Sequence, residues 1–134
     1  MKILILNGPN LNQLRYSEPG CAGEMDYEML VEYVQSCCGR MGIETDFFQS
    51  NHEGDLIDEI QSVRGRADGI VLNPAGYAHT SVAILDALRN CGVPVVEVLL
   101  EPPSEKEPFR QTDIVSFGCQ GHFIGEGPIG YLLA

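Results

Sequence analysis

Residues 72–81 read LNPAGYAHTS and lie between an apolar run and a helical pattern. An apolar run that leads directly into an amphipathic helix predicts a buried parallel strand followed by a helix. Pro74 and Gly76 end the strand and turn the chain, and Thr80 or Ser81 caps the helix. Polar side chains and free backbone N–H groups converge at such a junction, which predicts a ligand site there. The alternative is an ordinary connecting loop.

Three polar residues, two in this stretch and one after it, are candidates for catalysis or ligand binding. His79 precedes a helix N-terminus, whose positive end disfavours the imidazolium, so we expect a lowered pKa and a neutral ring near pH 7. Asn73 is a candidate polar anchor. Arg110 either reaches an anionic group or is a solvated surface arginine. Of the other histidines, His52 is expected at a helix start or on the surface, and His122 in the last strand.

Composition limits the class of protein. The chain of 134 residues is expected to form one domain, 1–134. A net charge of -11 with only 8 Lys plus Arg argues against nucleic acid or an anionic membrane as partner. An apolar run followed so early by Asn, Gly and Pro does not predict a signal peptide. Five scattered cysteines indicate a reducing cytoplasm. The sequence has neither a zinc spacing nor a nucleotide-binding glycine motif, so we expect no metal and no cofactor.

Apolar runs alternate with helical patterns along the whole chain. This alternation predicts an α/β fold with a doubly wound parallel sheet and helices on both faces. The predicted strands are 2–6, 45–49, 68–72, 94–100 and 121–125, and the predicted helices are 26–42, 51–63, 82–90, 109–116 and 130–134. Right-handed crossovers bring the carboxyl ends of the first, third and fourth strands to one edge. The neighbours expected there are Asn10, Asn12, Asn73, His79 and Glu101.

Motifs along the chain fall into a single register. They are Asn7-Gly8-Pro9-Asn10-Leu11-Asn12, Glu18-Pro19, Gln49-Ser50-Asn51-His52-Glu53-Gly54, Asn73-Pro74 through His79-Thr80-Ser81, Phe109-Arg110 and Gly130-Tyr131-Leu132-Leu133. Together they resemble the type II 3-dehydroquinate dehydratase family over essentially the whole chain. The resemblance implies a flavodoxin-like sheet of five parallel strands and a homo-oligomer, a trimer or dodecamer. It also implies a cofactor-independent elimination of water from a small cyclic hydroxy-keto acid, through an enolate.

The resemblance also implies site residues, and here the chain departs from the family. Where the family has a proton-abstracting tyrosine, its activating arginine and an acid histidine, this sequence has Ala22, Ser17 and Leu99. Asn10 keeps the position that helps to stabilise the enolate, and Glu101 replaces a serine that helps to hold the substrate carboxylate. Other substrate-site positions are matched by Asn73, His79, Asp86, Glu97 and Arg110.

These substitutions remove the proton-transfer groups from their aligned positions. Alanine and leucine carry no exchangeable proton, and general acid or base catalysis is worth roughly 10²–10⁴-fold per group. A desolvated Glu101 would also repel a ligand carboxylate by a few kcal/mol, on an order-of-magnitude Coulomb estimate. We therefore predict that the protein does not dehydrate 3-dehydroquinate efficiently.

Three functional hypotheses follow. The first is a cofactor-independent lyase or isomerase that acts on another small cyclic molecule. Its catalytic residues would be His79, Asn10 and Glu101, and its substrate-binding residues would be Asn73, Asn12, Asp86, Glu97 and Arg110. The second is a non-catalytic metabolite-binding or scaffold protein. The third is that the family reaction persists because Tyr16, beside Arg15, moves into the vacated place. Cys21 is a further candidate nucleophile, although no basic partner is evident in the sequence.

Overall fold

The computed structural model describes residues 1–17 and 23–134. Its centre is a five-stranded sheet in which every strand pairing is parallel, in the order β2-β1-β3-β4-β5. This is the strand order of flavodoxin-like folds, so the predicted fold class is confirmed. The strands are β1 Lys2–Asn7, β2 Glu44–Gln49, β3 Gly69–Asn73, β4 Val95–Leu99 and β5 Gly121–Ile124.

Helices cover both faces of the sheet. They are α1 Tyr27–Arg40, α2 Glu53–Gln61, α3 Val82–Asn90 and α4 Ile129–Leu133. Because side chains alternate along a strand, Leu4 and Leu6 pack on the side of α2 and α3, whereas Ile5 packs on the side of α1 and α4. Among the described residues, no helix combines the length and apolar character that a bilayer-spanning segment needs.

Polar side chains fix where the helices begin. Asp26 Oδ1 accepts the N–H of Met29 at 2.9 Å, and Ser81 Oγ accepts the N–H of Ile84 at 2.9 Å. Each bond satisfies a backbone donor that has no partner within the helix. Asn51, in contrast, lies before α2, and its side chain accepts the N–H of Asn10 at 2.9 Å. Asn51 therefore does not open the helix, and its side chain instead bonds the loop after β1.

The helix predicted over 109–116 is instead two separate 3-10 turns. These are Pro108–Arg110 and Val115–Gly118. The second turn begins after Asp113, whose Oδ1 accepts the N–H of Ser116 at 3.0 Å. Two further 3-10 turns, Leu11–Gln13 and Ala75–His79, follow β1 and β3 directly.

The loops after β1 and β3 lie against each other at the carboxyl edge of the sheet. The Gly8 N–H donates to the Asn73 carbonyl oxygen at 2.8 Å. A Cβ on residue 8 would lie 2.6 Å from the Pro74 carbonyl oxygen, so this approach requires glycine. The chain continues from β1 to β2 on one side and from β3 to β4 on the other, so a crevice opens between the ends of β1 and β3, where such sheets place ligands.

Candidate active site

A cavity of about 460 Å³ opens at this edge of the sheet, between the loops that follow β1, β3 and β4. Its polar lining comes from segments far apart in sequence. It includes Arg15, Tyr16, Asn73, His79, Glu101 and Arg110. Leu99 lies in the same lining and makes part of the wall apolar. The size and the mixed lining are typical of a site for a small molecule.

The structure brings together half of the residues predicted for the site. Asn73, His79, Glu101 and Arg110 all line the cavity. Their roles in binding and catalysis remain predictions. The crossovers predicted that Asn73, His79 and Glu101 are neighbours, and the structure adds Arg110 to them.

The other predicted residues lie elsewhere in this single chain. Asn10 is exposed on the loop after β1, and Asn12 lines a smaller cavity of about 290 Å³. Asp86 is exposed on α3 and lines a groove between α2 and α3. Glu97, in β4, is 0% exposed and lies in the interior. A buried carboxyl group cannot touch a ligand in the cavity without a rearrangement of the chain around it.

A buried hydrogen-bond network holds the base of the cavity. Asn73 is 2% exposed, and its Nδ2 donates to Tyr131 Oη at 3.0 Å. Tyr131 Oη in turn donates to Asn7 Oδ1 at 2.5 Å, and Asn7 Nδ2 donates to Tyr27 Oη at 3.2 Å. Burial raises the pKa of Tyr131 strongly and also raises that of Tyr27, so both phenols keep their protons. The network therefore fixes the amide orientation of Asn73.

The backbone beside Asn73 is in an unusual conformation. Ala75, which lines the cavity, has φ +52, in the left-handed region that alanine rarely adopts. The Asn73 side chain compensates, because its Oδ1 accepts the N–H of Ala75 at 3.1 Å. Local strain of this kind is held in place by the surrounding bonds and clusters at functional sites.

The ring of His79 is oriented by a backbone carbonyl. His79 Nδ1 lies 2.9 Å from the Thr112 carbonyl oxygen. Because a carbonyl oxygen only accepts, Nδ1 must carry the hydrogen, and in the neutral ring Nε2 is the free acceptor. A second bond joins the same segments, since the Ile114 N–H donates to the Ala78 carbonyl oxygen at 2.8 Å. No motif in the sequence identified Thr112 as a partner of His79.

Charged side chains of both signs surround the cavity. Arg110 Nε donates to Glu107 Oε2 at 2.6 Å, and its guanidinium lies 5.6 Å from the ring centre of Phe109. This bond uses one of the five guanidinium donors. Arg15 lies 3.5 Å from Glu24, and both side chains are exposed. Glu101 is also exposed, so water screens its charge.

Two sequence-based predictions fall on residues that the structure does not describe. These are the alanine at the tyrosine position, Ala22, and the candidate nucleophile Cys21. Ser17, at the position of the activating arginine, is described and is exposed. Tyr131, in contrast, belonged to the closing motif but had no predicted role, and only the fold shows that it bonds Asn7 and Asn73.

Comparisons with known proteins agree over the full chain. The family model described as Dehydroquinase class II matches residues 1–134. The 3-dehydroquinate dehydratase of Campylobacter hominis is 46% identical over 134 residues, covering 100% of this chain and 86% of that protein. That of Sulfurovum sp. is 42% identical, covering 100% and 83%. The crystal structure of type II dehydroquinase from Butyrivibrio crossotus matches with a TM-score of 0.90 and 41% identity, covering 99% of this chain and 93% of that one.

These relatives contradict the prediction that the chain acts on a cyclic molecule other than 3-dehydroquinate. At 41–46% identity over nearly the whole chain, relatives named 3-dehydroquinate dehydratase or type II dehydroquinase point to dehydration of 3-dehydroquinate. They support neither a new substrate nor a non-catalytic protein. The prediction rested on the absence of proton-transfer groups at the aligned positions, which is not sufficient evidence for a different substrate. In the fold, Tyr16, Arg15 and Glu101 line the same cavity as Leu99.

Proposed function

Since this chain belongs to the class II dehydroquinase family, we propose that it is a 3-dehydroquinate dehydratase, a lyase that eliminates water from 3-dehydroquinate. The observation that carries the proposal is the convergence of Asn73, His79 and Arg110 on one cavity at the carboxyl edge of the sheet. Each of them also matches a substrate-site position in the family resemblance. A scaffold protein would not require this combination of amide, imidazole and guanidinium groups.

The reaction requires three kinds of group. A base breaks a C–H bond beside the ketone, and the electron pair moves into an enolate. The enolate then expels the neighbouring hydroxyl group, which takes a proton from an acid and leaves as water. Hydrogen-bond donors stabilise the enolate oxygen between these steps. No electron is gained or lost, so these steps balance with a base, an acid and hydrogen-bond donors.

Arg110 is the residue that we assign to the substrate carboxylate. Its Nε bond to Glu107 fixes the side chain, and the remaining guanidinium donors form the planar fork that matches a carboxylate. Glu101 lies in the same lining, but its exposure to water keeps the repulsion of a bound carboxylate small.

Tyr16 is the residue that we assign as the base. Tyr16 belongs to the described lining of the cavity, as does its neighbour in sequence Arg15. Proton abstraction requires a phenolate, and a cation placed close to a phenol favours that form. In the family resemblance the basic tyrosine aligns with Ala22, and we assign its role to Tyr16.

His79 is the residue that we assign to proton delivery. The Thr112 carbonyl occupies Nδ1, so a protonated ring offers its second hydrogen from Nε2 to the departing hydroxyl group. Leu99 cannot supply this proton, and Glu101 is a further titratable group in the lining of the cavity.

The test is to mix the purified protein with 3-dehydroquinate and to follow the absorbance of the enone product. We expect measurable turnover, and Tyr16→Phe should lower kcat by roughly 10²-fold or more. Tyr33→Phe, on α1 outside the cavity lining, is the matched control and should leave kcat unchanged. A folded protein that forms no enone would refute the proposed function. Full activity in Tyr16→Phe would refute the assignment of the base alone.

A further inference from the structure

Two carboxyl side chains meet in the interior beside the segment that holds His79. Glu97, in β4, is 0% exposed, and the carboxyl group of Asp113 lies close enough to raise its pKa. His122, the partner of Glu97 across the β4–β5 pairing, has its Nδ1 3.7 Å from Glu97 Oε1, which is too long for a hydrogen bond. Cys119 is near enough for both carboxyl groups to affect its thiol.

The pair is stable only if it holds a proton. In the described part of the chain, Glu97 Oε1, Glu97 Oε2 and Asp113 Oδ2 are buried and have no hydrogen-bond partner. Two ionised carboxylates would leave them unsatisfied and would repel each other. Burial first, and then Asp113, raise the pKa of Glu97 to about 9. A proton on Glu97, donated to Asp113 Oδ2, would satisfy one atom of each carboxyl group at neutral pH.

Asp113 lies at the centre of the segment that contacts His79. The residue before it, Thr112, accepts the His79 Nδ1 hydrogen, and the residue after it, Ile114, donates to Ala78. Asp113 also orders the turn that follows, because its Oδ1 accepts the Ser116 N–H at 3.0 Å and its carbonyl oxygen accepts the Ser116 hydroxyl at 2.6 Å. A hydrogen bond from Glu97 to Asp113 would thus restrain both the Thr112–His79 bond and the Ile114–Ala78 bond.

We propose that Glu97 and Asp113 share one proton and act as a positioning pair, which holds residues 112–114 on β4 so that Thr112 keeps His79 in its Nδ1–H form. The resemblance placed Glu97 among the substrate-binding residues, whereas the fold gives it this indirect role. Among residues 1–17 and 23–134, no group of three or more His, Cys, Asp or Glu side chains is placed to hold a metal ion.

The pair predicts a change at alkaline pH. When the shared proton leaves, two adjacent carboxylates face each other, and the 112–114 segment loosens. The titratable groups that face the pair are His122 from β5 and Cys119 from the end of the Val115–Gly118 turn, with Cys91 beyond Cys119. Burial, together with the nearby carboxyl groups and Cys91, raises the pKa of Cys119 to about 12, so its thiol stays neutral while Glu97 titrates.

The decisive experiment measures the protonation of Glu97 and its effect on His79 and Ile114, without measuring activity. Carbon NMR of the Glu97 carboxyl group, nitrogen NMR of the His79 ring and hydrogen exchange of the Ile114 amide are recorded from pH 6 to pH 10. In the unmodified protein we expect a protonated Glu97, an Nδ1–H ring and a protected amide at pH 7. We expect the loss of all three as pH rises through about 9.

Variants separate the role of the shared proton from general stability. Glu97→Gln keeps a donor to Asp113 but cannot ionise, so the His79 and Ile114 signals should persist to pH 10. Asp113→Ala should lose both at pH 7 while the far-ultraviolet circular dichroism is retained. Glu126→Gln changes an exposed carboxyl group and should behave like the unmodified protein.

An ionised Glu97 at pH 7 in the unmodified protein would overturn the proposal, even if neither variant folded. An Asp113→Ala protein with unchanged His79 and Ile114 signals would also overturn it. A kinetic arm rests on the proposed function: kcat should fall at alkaline pH in the unmodified protein and not in Glu97→Gln, with KM little changed. Failure of the dehydratase assay would leave the NMR result intact.

Discussion

Tyr131 donates its hydroxyl hydrogen to Asn7 Oδ1 at 2.5 Å, across 124 residues of sequence. The same hydroxyl oxygen accepts a hydrogen from Asn73 Nδ2, so one phenol joins the ends of β1 and β3. The loops that follow these two strands form much of the cavity. The last helix of the chain therefore stabilises a cavity whose lining residues lie between Leu11 and Arg110.

Tyr131→Phe should destabilise the protein by about 2 kcal/mol or more, because it leaves Asn7 Oδ1 without its donor and Asn73 Nδ2 without its acceptor in a buried place. Denaturant unfolding measures the change. Tyr77→Phe is the matched comparison, since it removes an exposed hydroxyl bond to the Asn51 carbonyl that water can replace. Equal losses in the two variants would contradict the importance of burial.

His79→Ala should lower kcat for 3-dehydroquinate by roughly 10²–10⁴-fold, the usual range for loss of a general acid. His52→Ala is the control, because His52 is exposed before α2 and makes no side-chain capping bond. Steady-state enone absorbance gives kcat and KM for both. A His79→Ala enzyme within threefold of the unmodified one would exclude His79 as the acid.

Leu99→His should increase turnover by about tenfold or more, because it places an acid where the family resemblance has one. Leu99 lines the cavity and is partly exposed, so the fold should tolerate the substitution. Leu99→Gln has similar polarity but no proton to give, and it should show no gain. A gain in both variants would indicate an effect of polarity and not of proton transfer.

Glu97→Gln should remove a pH-dependent loss of stability. Because the folded pKa of Glu97 is raised to about 9 from 4.5, the folded state binds more protons than the unfolded state between these values. Stability from this group is therefore complete below about pH 4.5 and falls until pH passes about 9.

Thermal unfolding measures this effect. The Tm of Glu97→Gln, relative to the unmodified protein, should rise by about 5 °C or more between pH 6 and pH 9. Glu126→Gln, which alters an exposed carboxyl group, should show no such trend. A constant difference in Tm across this range would mean that Glu97 is already ionised in the folded protein at pH 6.

The sequence by itself determined the α/β class, the parallel sheet and most element boundaries. Apolar runs such as 68–72, amphipathic helices and caps such as Asp26 and Ser81 are local signals, and each survives in the fold. The motif register was also sufficient to indicate the family. The substrate prediction failed because alanine and leucine at positions 22 and 99 do not by themselves exclude the activity that the relatives' names give.

Only the tertiary structure decided which side chains share the cavity and which are buried away from it. Glu97 and Asp86 match site positions in the resemblance, yet one lies in the interior and the other on a separate groove. The bonds of Thr112 to His79 and of Tyr131 to Asn7 span 33 and 124 residues. No local pattern encodes such contacts, because they exist only after the crossovers have brought the strand ends together.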